Sequence, residues 1–449
     1  MLGDATEHGD GQASIRSGKV SRIVALAGTG AKVGLNYARH YGGRAMGRSM
    51  DDAVLHAANA GDVYSTFSKL KGGPLKVAQM LSIDGGLLPE AYGKVFSQAQ
   101  YSAPPLSYPL VVRTFRREFG KAPTEVFASF QPKAAHGASI GQVHRATGKD
   151  GREYAVKVQY PGVAESLRSD LRVVKPIALQ LLGLRERDVA AYFEEVETRL
   201  LEETDYALEL RRSVELSALS AGIAGVRFPG YHEALSSRRV LTMDWVDGVP
   251  LDRFADGGAS QEERDRIGQA LWDFYEHQIH ELNVFHADPH PGNFLVKDGE
   301  LWVLDFGCTK SIEPEFYRRH FAFLDPAVLE DRARLEAALV AMDVLLPTDS
   351  GDYRTRVIEL CEESIRMVAL PFRTETFDFG SEEFLRAIYR MGHENRDSGL
   401  LKESRGVRGS AHSIYVNRAY FGLYALLSRL RARVRTRLPA FLWKEAGGV

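Results

Sequence analysis

Three short stretches in a fixed order constrain this chain more than any other feature of its sequence. The first is YAVKV, in which Lys157 stands inside an apolar, β-branched run. The second is HADPHPGNFLV, in which Asp288 and Asn293 are five residues apart. The third is ELWVLDFG, in which Asp305 ends an apolar run. Each stretch alone arises easily by chance, but the three in this order indicate a site that handles phosphate.

The residue types in these stretches suit magnesium and phosphate chemistry. An aspartate five residues before an asparagine can accept or orient a hydroxyl proton, and the asparagine can ligate Mg²⁺. These roles would fall to Asp288 and Asn293. A carboxylate that ends a strand before Phe-Gly can hold the metal on the nucleotide phosphates, which is the role predicted for Asp305.

The lysine of the first stretch suits the α- and β-phosphates and needs an acidic partner. The Glu-rich stretch downstream offers three candidates, namely Glu203, Asp205 and Glu209. Asp205 and Glu209 are four residues apart and would share a helix face, whereas Glu203 and Asp205 would not. Spacing alone leaves the choice among them open.

The pattern around these stretches predicts an α+β, protein-kinase-like bilobal fold with an N-terminal helical extension. Asp150-Gly151 marks a hairpin between two β-rich runs, and a long helix is predicted from about Asp188 to Leu219. The predicted organisation is a disordered tail (1–14), a helical extension (15–122), a small β-rich lobe (123–250) and a larger helical lobe (251–449).

Net charge and cysteine content indicate which binding partners and which cellular compartment to expect. The 449 residues carry a net charge of −2, which gives no reason to expect a nucleic-acid partner. Two cysteines cannot build a disulfide framework, so a reducing compartment is expected. The sequence has neither a signal-peptide pattern nor a run of about 18 apolar residues. We therefore expect a cytoplasmic protein.

The motifs together resemble the UbiB/ADCK (AarF-type) family of atypical kinases, which is linked to ubiquinone biosynthesis. The most specific similarity is LKVAQMLS, which resembles the family's KxGQ motif with Lys76 and Gln79. HGASIGQVHRA is similar to its Ala-rich loop, and ETD is similar to its ExD motif. FHADPHPGN and DFG are similar to its catalytic and metal-binding loops.

The resemblance implies a set of site residues. It implies that the helical extension folds over the active site and that Glu209 is the partner of Lys157. The implied catalytic residues are Asp288, Lys157, Lys76 and Gln79. The implied nucleotide-contacting residues are Ala138, Ser139, Ile140, Gly141, Gln142, Lys157, Glu203, Asp205, Glu209, Met243 and Val246. The implied metal ligands are Asn293 and Asp305.

The resemblance also implies ligands and partners. The cofactors would be ATP or ADP with Mg²⁺. Further candidate partners are a lipid or quinone-precursor ligand, an anionic membrane surface and proteins of quinone biosynthesis. Ala78 stands where the KxGQ motif has glycine, and His136 and Gly137 stand where the Ala-rich loop has alanine. These differences leave the nucleotide preference open.

Two alternative functions and one structural alternative remain. The chain could be a small-molecule or lipid phosphotransferase, or a non-catalytic switch that responds to nucleotide. Near the C-terminus, arginines accompany an apolar helical stripe of Leu423, Leu426, Leu427, Leu430 and Val434. Such a helix could lie on an anionic membrane or could bury its stripe in the core.

Overall fold

The structure, a computed structural model, describes residues 107–138, 140–182, 186–384, 386–387 and 409–436. It also describes six single positions nearer the N-terminus, namely Gly28, Lys32, Asn36, Arg39, Asn59 and Gly61. The predictions for the N-terminal tail, for most of the extension, and for Lys76, Gln79 and Ser139 lie outside these residues.

The elements are numbered in chain order. The strands are β1 Ser129–Phe130, β2 His136–Gly137, β3 Gly141–Thr147, β4 Glu153–Gln159, β5 Val226–Arg227, β6 Val240–Asp244, β7 Val249–Pro250, β8 Val284–His286, β9 Phe294–Lys297, β10 Glu300–Val303, β11 Thr309–Ser311, β12 Thr376–Asp378 and β13 Arg433–Arg435. The α-helices are α1 Tyr108–Phe119, α2 Pro123–Val126, α3 Val163–Leu182, α4 Glu186–Glu203, α5 Tyr206–Leu219, α6 Leu251–Asp256, α7 Gln261–Glu276, α8 Pro314–Phe321, α9 Pro326–Glu330, α10 Arg332–Ala341, α11 Gly351–Ala369 and α12 Ala411–Leu430.

The chain divides into two compact units. The first comprises Met1–Gly183, Val196–Leu210 and Gly230–Trp245. The second comprises Leu184–Glu195, Arg211–Pro229 and Val246–Val449. Each unit combines helices with a β-sheet, so the predicted α+β class is confirmed. The predicted boundaries of the extension and lobes stay predictions.

The first unit is built on an antiparallel sheet in the order β1-β3-β4-β6, with β2 pairing along the other half of β3. The predicted hairpin joins β3 to β4. Gly151 has φ of +80°, a left-handed conformation that glycine adopts without strain. Asp150 supports the turn because its carboxylate accepts the Arg152 N–H and the Tyr154 hydroxyl.

The two faces of this sheet have different roles. Directly paired residues share a face, and residues two apart on a strand share it as well. We call one side the lysine face; it carries His136, Val143, Arg145, Ala155, Lys157, Leu241 and Met243. The opposite side packs against α1, where Val111 and Phe115 are fully buried with Phe127 and Val156.

The helix predicted from Asp188 to Leu219 is wrong as a single element, because it is two helices, α4 and α5. The break falls at Thr204 and Asp205. The Asp205 carboxylate accepts the N–H groups of Ala207 and Leu208, which makes it the N-cap of α5. The Gln159 side-chain amide donates to the Thr204 carbonyl and ties the break to β4. Helix α3, between Val163 and Leu182, was not predicted.

The second unit has a sheet in the order β5-β10-β9-β7, and its core lies around α7 and α12. Ser260 and Glu263 form a capping box that begins α7. The C-terminal stripe is buried in this core: the exposed fraction is at most 5% for Leu423, Leu426, Leu427, Leu430 and Val434. The stripe therefore offers no apolar face to a membrane. Among the described helices, none is both long and apolar enough to cross a bilayer.

Polar side chains of α7 hydrogen-bond to the backbone of the segment that contains β13. The Gln261 amide donates to the Arg431 carbonyl, and Asp265 accepts the Arg433 N–H. The Gln269 amide both accepts the Arg435 N–H and donates to the Arg435 carbonyl. One edge of β13 pairs with β12, and these side chains satisfy the other edge.

A histidine on α8 should make stability depend on pH. Burial, with a smaller contribution from nearby His280, lowers the pKa of His320 to about 4. Its Nδ1 atom is shielded from solvent and makes no hydrogen bond within the described part of the chain, although the residue as a whole is partly exposed. The His320 imidazole should therefore bind a proton near pH 6.5 in the unfolded state but only near pH 4 in the folded state.

We expect this histidine to cost the second unit about 2 kcal/mol of unfolding free energy between pH 7 and pH 5. The stability is fully present above pH 6.5 and is lost as the pH falls toward 4. His320→Phe keeps the stacking on Phe316 and removes the titration. Denaturant unfolding at both pH values should show a smaller difference for the variant. An equal difference in both proteins would contradict the assignment.

Candidate active site

The first unit holds the predicted lysine in a buried ion pair. Lys157 on β4 lies 2.6 Å from the Glu209 carboxylate on α5, and both side chains are nearly inaccessible to solvent. The Lys157 ammonium also lies 5.0 Å from the centre of the Tyr206 ring. The pairing expected from the resemblance is thus present. It holds the ammonium at a fixed place on the lysine face, as a phosphate-binding lysine requires.

The loop between β2 and β3 is a tight turn closed by its own backbone. The Ala138 N–H donates to the Gly141 carbonyl at 2.9 Å, and the Gly141 N–H donates to the Ala138 carbonyl at 3.4 Å. A Cβ at Gly141 would lie 2.6 Å from the Val158 carbonyl oxygen, so the position requires glycine. The N–H groups of Ala138 and Gly141 are therefore already used within the turn.

Two side chains of this loop region lie away from the lysine face. Gln142 is fully buried on the opposite side of the sheet, where its amide lies 2.8 Å from the His144 ring. Ile140 is buried in an apolar cluster with Tyr160 and Tyr206. Strand alternation turns the Gln142 side chain to the face opposite Lys157. That Gln142 contacts nucleotide stays a prediction.

The other predicted residues of the first unit are placed as follows. Glu203 is the last residue of α4 and is buried. Asp205 caps α5, and its second oxygen lies 3.4 Å from Arg238. Met243 lies on the lysine face and pairs with Ala155. Val246 is buried and is the first residue of the third segment of the second unit. The cap gives Asp205 a structural role, since it fixes the helix that carries Glu209.

The second unit brings together the predicted base and both predicted metal ligands. The Asn293 amide donates to the Asp288 carbonyl at 2.9 Å. The Leu304 N–H donates to the Asn293 carbonyl at 3.0 Å, which places Asp305 beside the loop. The Asp305 carboxylate accepts the Gly307 N–H at 2.6 Å. One backbone hydrogen bond therefore joins Asn293 to Leu304, which lies 11 positions later in the sequence.

The oxygens of this arrangement fit Mg²⁺. The metal prefers hard oxygen ligands, usually one or two from the protein, with phosphate and water completing the shell. Asp305 supplies a carboxylate. Asn293 uses its amide nitrogen on the loop, which leaves its amide oxygen as the atom suited to a metal. When bound, the ion would neutralise charge on the nucleotide phosphates.

The histidines of the loop support it from within. The His286 ring is fully buried and packs edge-on against Phe306, the phenylalanine of DFG, with centroids 6.0 Å apart. Its backbone N–H donates to the Gln278 side chain. His290 accepts the Gly292 N–H on Nδ1, which caps the short turn before Asn293. Both histidines thus have a structural role in the loop.

An arginine that the sequence did not reveal contacts the predicted base. Arg418 on α12 donates to the Asp288 carboxylate at 2.7 Å, and its side chain is only 6% exposed. The same helix approaches the loop at Gly422, where a Cβ would lie 2.0 Å from Cγ of Pro289. A lone arginine in a helical pattern gives no sign of such a contact. The glycine inside a strong helix was the available signal of close packing.

We expect the Asp288–Arg418 pair to be strongly coupled in stability. Arg418→Ala leaves a largely buried carboxylate without its arginine, and breaking such a pair costs about 3 to 5 kcal/mol. The same change in an Asp288→Asn background should cost markedly less. A double-mutant cycle measured by denaturant unfolding gives the coupling. Additive effects of the two substitutions would contradict a direct pair.

We expect Gly422→Ala to impair the loop although alanine favours helices. The added methyl must displace Pro289, the neighbour of Asp288, and overpacking of this kind costs about 1 to 3 kcal/mol. Denaturant unfolding of wild type and variant measures this loss. The control is Ala425→Gly, an exposed position of the same helix, where the lower helix propensity of glycine alone should cost about 1 kcal/mol. Unchanged or increased stability of Gly422→Ala would refute the close approach.

Comparison with known proteins agrees with this geometry. Residues 98–339 match the family model of the ABC1 atypical kinase-like domain. The chain is 33% identical over 390 residues to the mitochondrial atypical kinase coq-8 of Caenorhabditis elegans, covering 85% of this chain and 50% of that protein. It is 27% identical over 432 residues to the mitochondrial atypical kinase COQ8B of Danio rerio, covering 93% and 67%.

A solved structure is also similar. Rv3197 from Mycobacterium tuberculosis, described in complex with erythromycin, has a TM-score of 0.59 and 27% identity, covering 88% of this chain and 97% of that chain. The predicted kinase-like fold is thereby confirmed. The family model spans more than half of the sequence, with the lysine strand, the Asp288 loop and DFG inside it. The chain belongs to the ABC1 atypical kinase-like family, the UbiB/ADCK type that its motifs predict.

Proposed function

We propose that the chain binds Mg-ATP and acts as an atypical kinase or ATPase that supports isoprenoid-quinone biosynthesis. The single observation that carries the proposal is that Asn293 hydrogen-bonds to Asp288 and to Leu304, the neighbour of Asp305, within one unit. The Lys157–Glu209 ion pair in the other unit supports it independently. ADP is the alternative nucleotide.

Each unit supplies its own part of the proposed chemistry. Lys157, held by Glu209, neutralises the α- and β-phosphates. Asp305 and Asn293 hold Mg²⁺ with their side-chain oxygens. The proposed catalytic role of Lys76 and Gln79 rests only on their resemblance to the KxGQ motif.

Asp288 would accept or orient the proton of the attacking hydroxyl or water. Its position supports this role because Arg418 fixes one carboxylate oxygen while the side chain stays 20% exposed. A base that is held in place but reachable can contribute about 10² to 10⁴ in rate.

The quinone link rests on the family and on the names of its mitochondrial relatives. A lipid or quinone-precursor acceptor, quinone-biosynthesis proteins and an anionic membrane surface remain proposed partners. The C-terminal apolar stripe gives no support to membrane contact, because its side chains are buried. A membrane-facing segment would have to lie elsewhere in the chain.

Transfer to a small molecule is a second candidate function. The similarity to Rv3197, described in complex with erythromycin, makes a macrolide a sensible ligand to test beside phenols and lipids. A shift of the melting temperature with erythromycin, and product formation from Mg-ATP, would favour this candidate. Tight Mg-nucleotide binding without turnover would favour a nucleotide switch.

We expect phosphate release from Mg-ATP to be abolished by Asp305→Asn, because the change removes the charged metal ligand. Release should be measured with and without anionic liposomes. Stimulation by liposomes would support coupling to a membrane.

The matched control is Asp298→Asn, which makes the same charge change on an exposed turn between β9 and β10. Asparagine tolerates the positive φ of 53° there, so this variant should retain activity. Equal background release from wild type and Asp305→Asn would refute catalysis.

A further inference from the structure

A cavity of about 660 Å³ lies within the second unit, where α6 and α12 end and α7 begins. Cavities of this size hold small organic ligands in other proteins. Its charged lining residues, in the part of the chain that the structure describes, are Asp256, Arg264, Arg429 and Arg431. Three arginines against one aspartate leave an excess of two positive charges around the cavity.

Two of the arginines are held in place by hydrogen bonds. Arg429 donates through Nε and Nη2 to the two oxygens of Asp256, so these two charges offset each other. Arg264 donates to four backbone carbonyls, those of Ala255, Gly257, Ala259 and Leu430. Carbonyls fix a guanidinium without neutralising it, so Arg264 is a rigid cation at the cavity wall.

Arg431 ends α12 in a backbone conformation that arginine rarely adopts. Its φ of +52° lies in the left-handed region, where helix ends favour glycine. The side chain is not needed as a cap, because the Leu427 and Ser428 carbonyls already accept the Arg431 N–H and the Leu430 carbonyl accepts Arg264. The Arg431 guanidinium is exposed and has no hydrogen bond or ion pair with any residue that the structure describes.

Ser428 adds an unused donor to the same wall. The residue is 6% exposed, and its hydroxyl is buried without a hydrogen-bond partner among the described residues. A helical serine ordinarily bonds back to a carbonyl of the preceding turn, and a buried hydroxyl without a partner is costly. An anionic oxygen in the cavity would satisfy this hydroxyl. Ser428 and Arg431 therefore both point to a ligand rather than to the stability of the fold.

We propose that this cavity binds a phosphate monoester, with Arg264 and Arg431 supplying the charge and the Ser428 hydroxyl donating a hydrogen bond. Such a group carries about −1.5 to −2 charges at pH 7, which matches the excess positive charge. Guanidinium groups suit phosphate because their paired N–H groups match its oxygens.

The cavity is separate from the proposed active site. Ser428 lies ten residues beyond Arg418 on α12, which places it roughly 15 Å further along the helix from the arginine that contacts Asp288. The inference thus goes beyond the proposed nucleotide chemistry and does not depend on it.

The test offers one phosphate monoester from two sources. Glycerol 3-phosphate presents the group in solution, and phosphatidylcholine vesicles that contain phosphatidic acid present it on a lipid. Calorimetry measures binding of the first, and co-sedimentation measures binding of the second against vesicles of phosphatidylcholine alone. Both are done at fixed ionic strength and without Mg²⁺. The probe that binds identifies the source of the group.

We expect wild type to bind at least one probe saturably and two cavity variants to bind it about tenfold more weakly. Ser428→Ala removes the hydroxyl. Arg431→Gly removes the guanidinium, and it should also raise the midpoint of thermal unfolding because glycine adopts this φ without strain. The control Arg253→Gln removes the same charge from an exposed position of α6 outside the described lining, and it should bind as wild type does.

Three outcomes would overturn the inference. If wild type binds neither probe, the cavity is not a phosphate site, and the proposed active site is unaffected. If Arg431→Gly binds as tightly as wild type, the anion binds elsewhere on the chain. If Arg253→Gln loses as much affinity as Arg431→Gly, the attraction is a general effect of positive charge. The expected higher unfolding midpoint of Arg431→Gly ensures that its loss of binding is not a loss of fold.

Discussion

The ion pair between Asp288 and Arg418 is the contact on which the second unit's site depends. A carboxylate that is mostly removed from water needs a compensating charge, and the arginine comes from a helix 130 residues later in the chain. That helix can reach the loop only because Gly422 has no side chain where it meets Pro289. The position of the Asp288 loop therefore depends on how α12 packs. Ala287, which stands where most protein kinases carry an arginine, is buried beside the same loop.

The first unit also contains a buried ion pair, but its acidic partner is positioned by a helix cap. Lys157 and Glu209 are both buried, so each requires the other. Glu209 is in place because α5 begins at an aspartate cap, and the cap is held to the sheet through Thr204 and Gln159. A short irregular segment between two helices therefore determines where the lysine's partner lies. The carboxylate at the cap belongs to the scaffold of the site as much as to its chemistry.

The sequence predicted what depends on local pattern. The β3–β4 hairpin follows from Asp150-Gly151, and the loop chemistry follows from residue types at fixed spacing. The helix break was missed because a strong helical pattern ran through it, although Asp205 before an apolar stretch is a cap signal. The orientation of the Gln142 side chain depends on where β3 begins, which the loop sequence does not show. Arg418 could not be predicted, since its contact is long-range and arginine suits any exposed helix position.

The polar residues of α7 that bond to β13 recur along the helix at nearly the same distance as alternate residues recur along the strand. Four residues of helix rise about 6.0 Å, and two residues of strand rise about 6.6 Å. Residues 261, 265 and 269 can therefore meet residues 431, 433 and 435 in step over a short distance. The polar side chains of α7 occupy the backbone groups on the free edge of β13, so a strand from another chain cannot pair with that edge. It also fixes the register of the strand that directly follows the helix carrying Arg418.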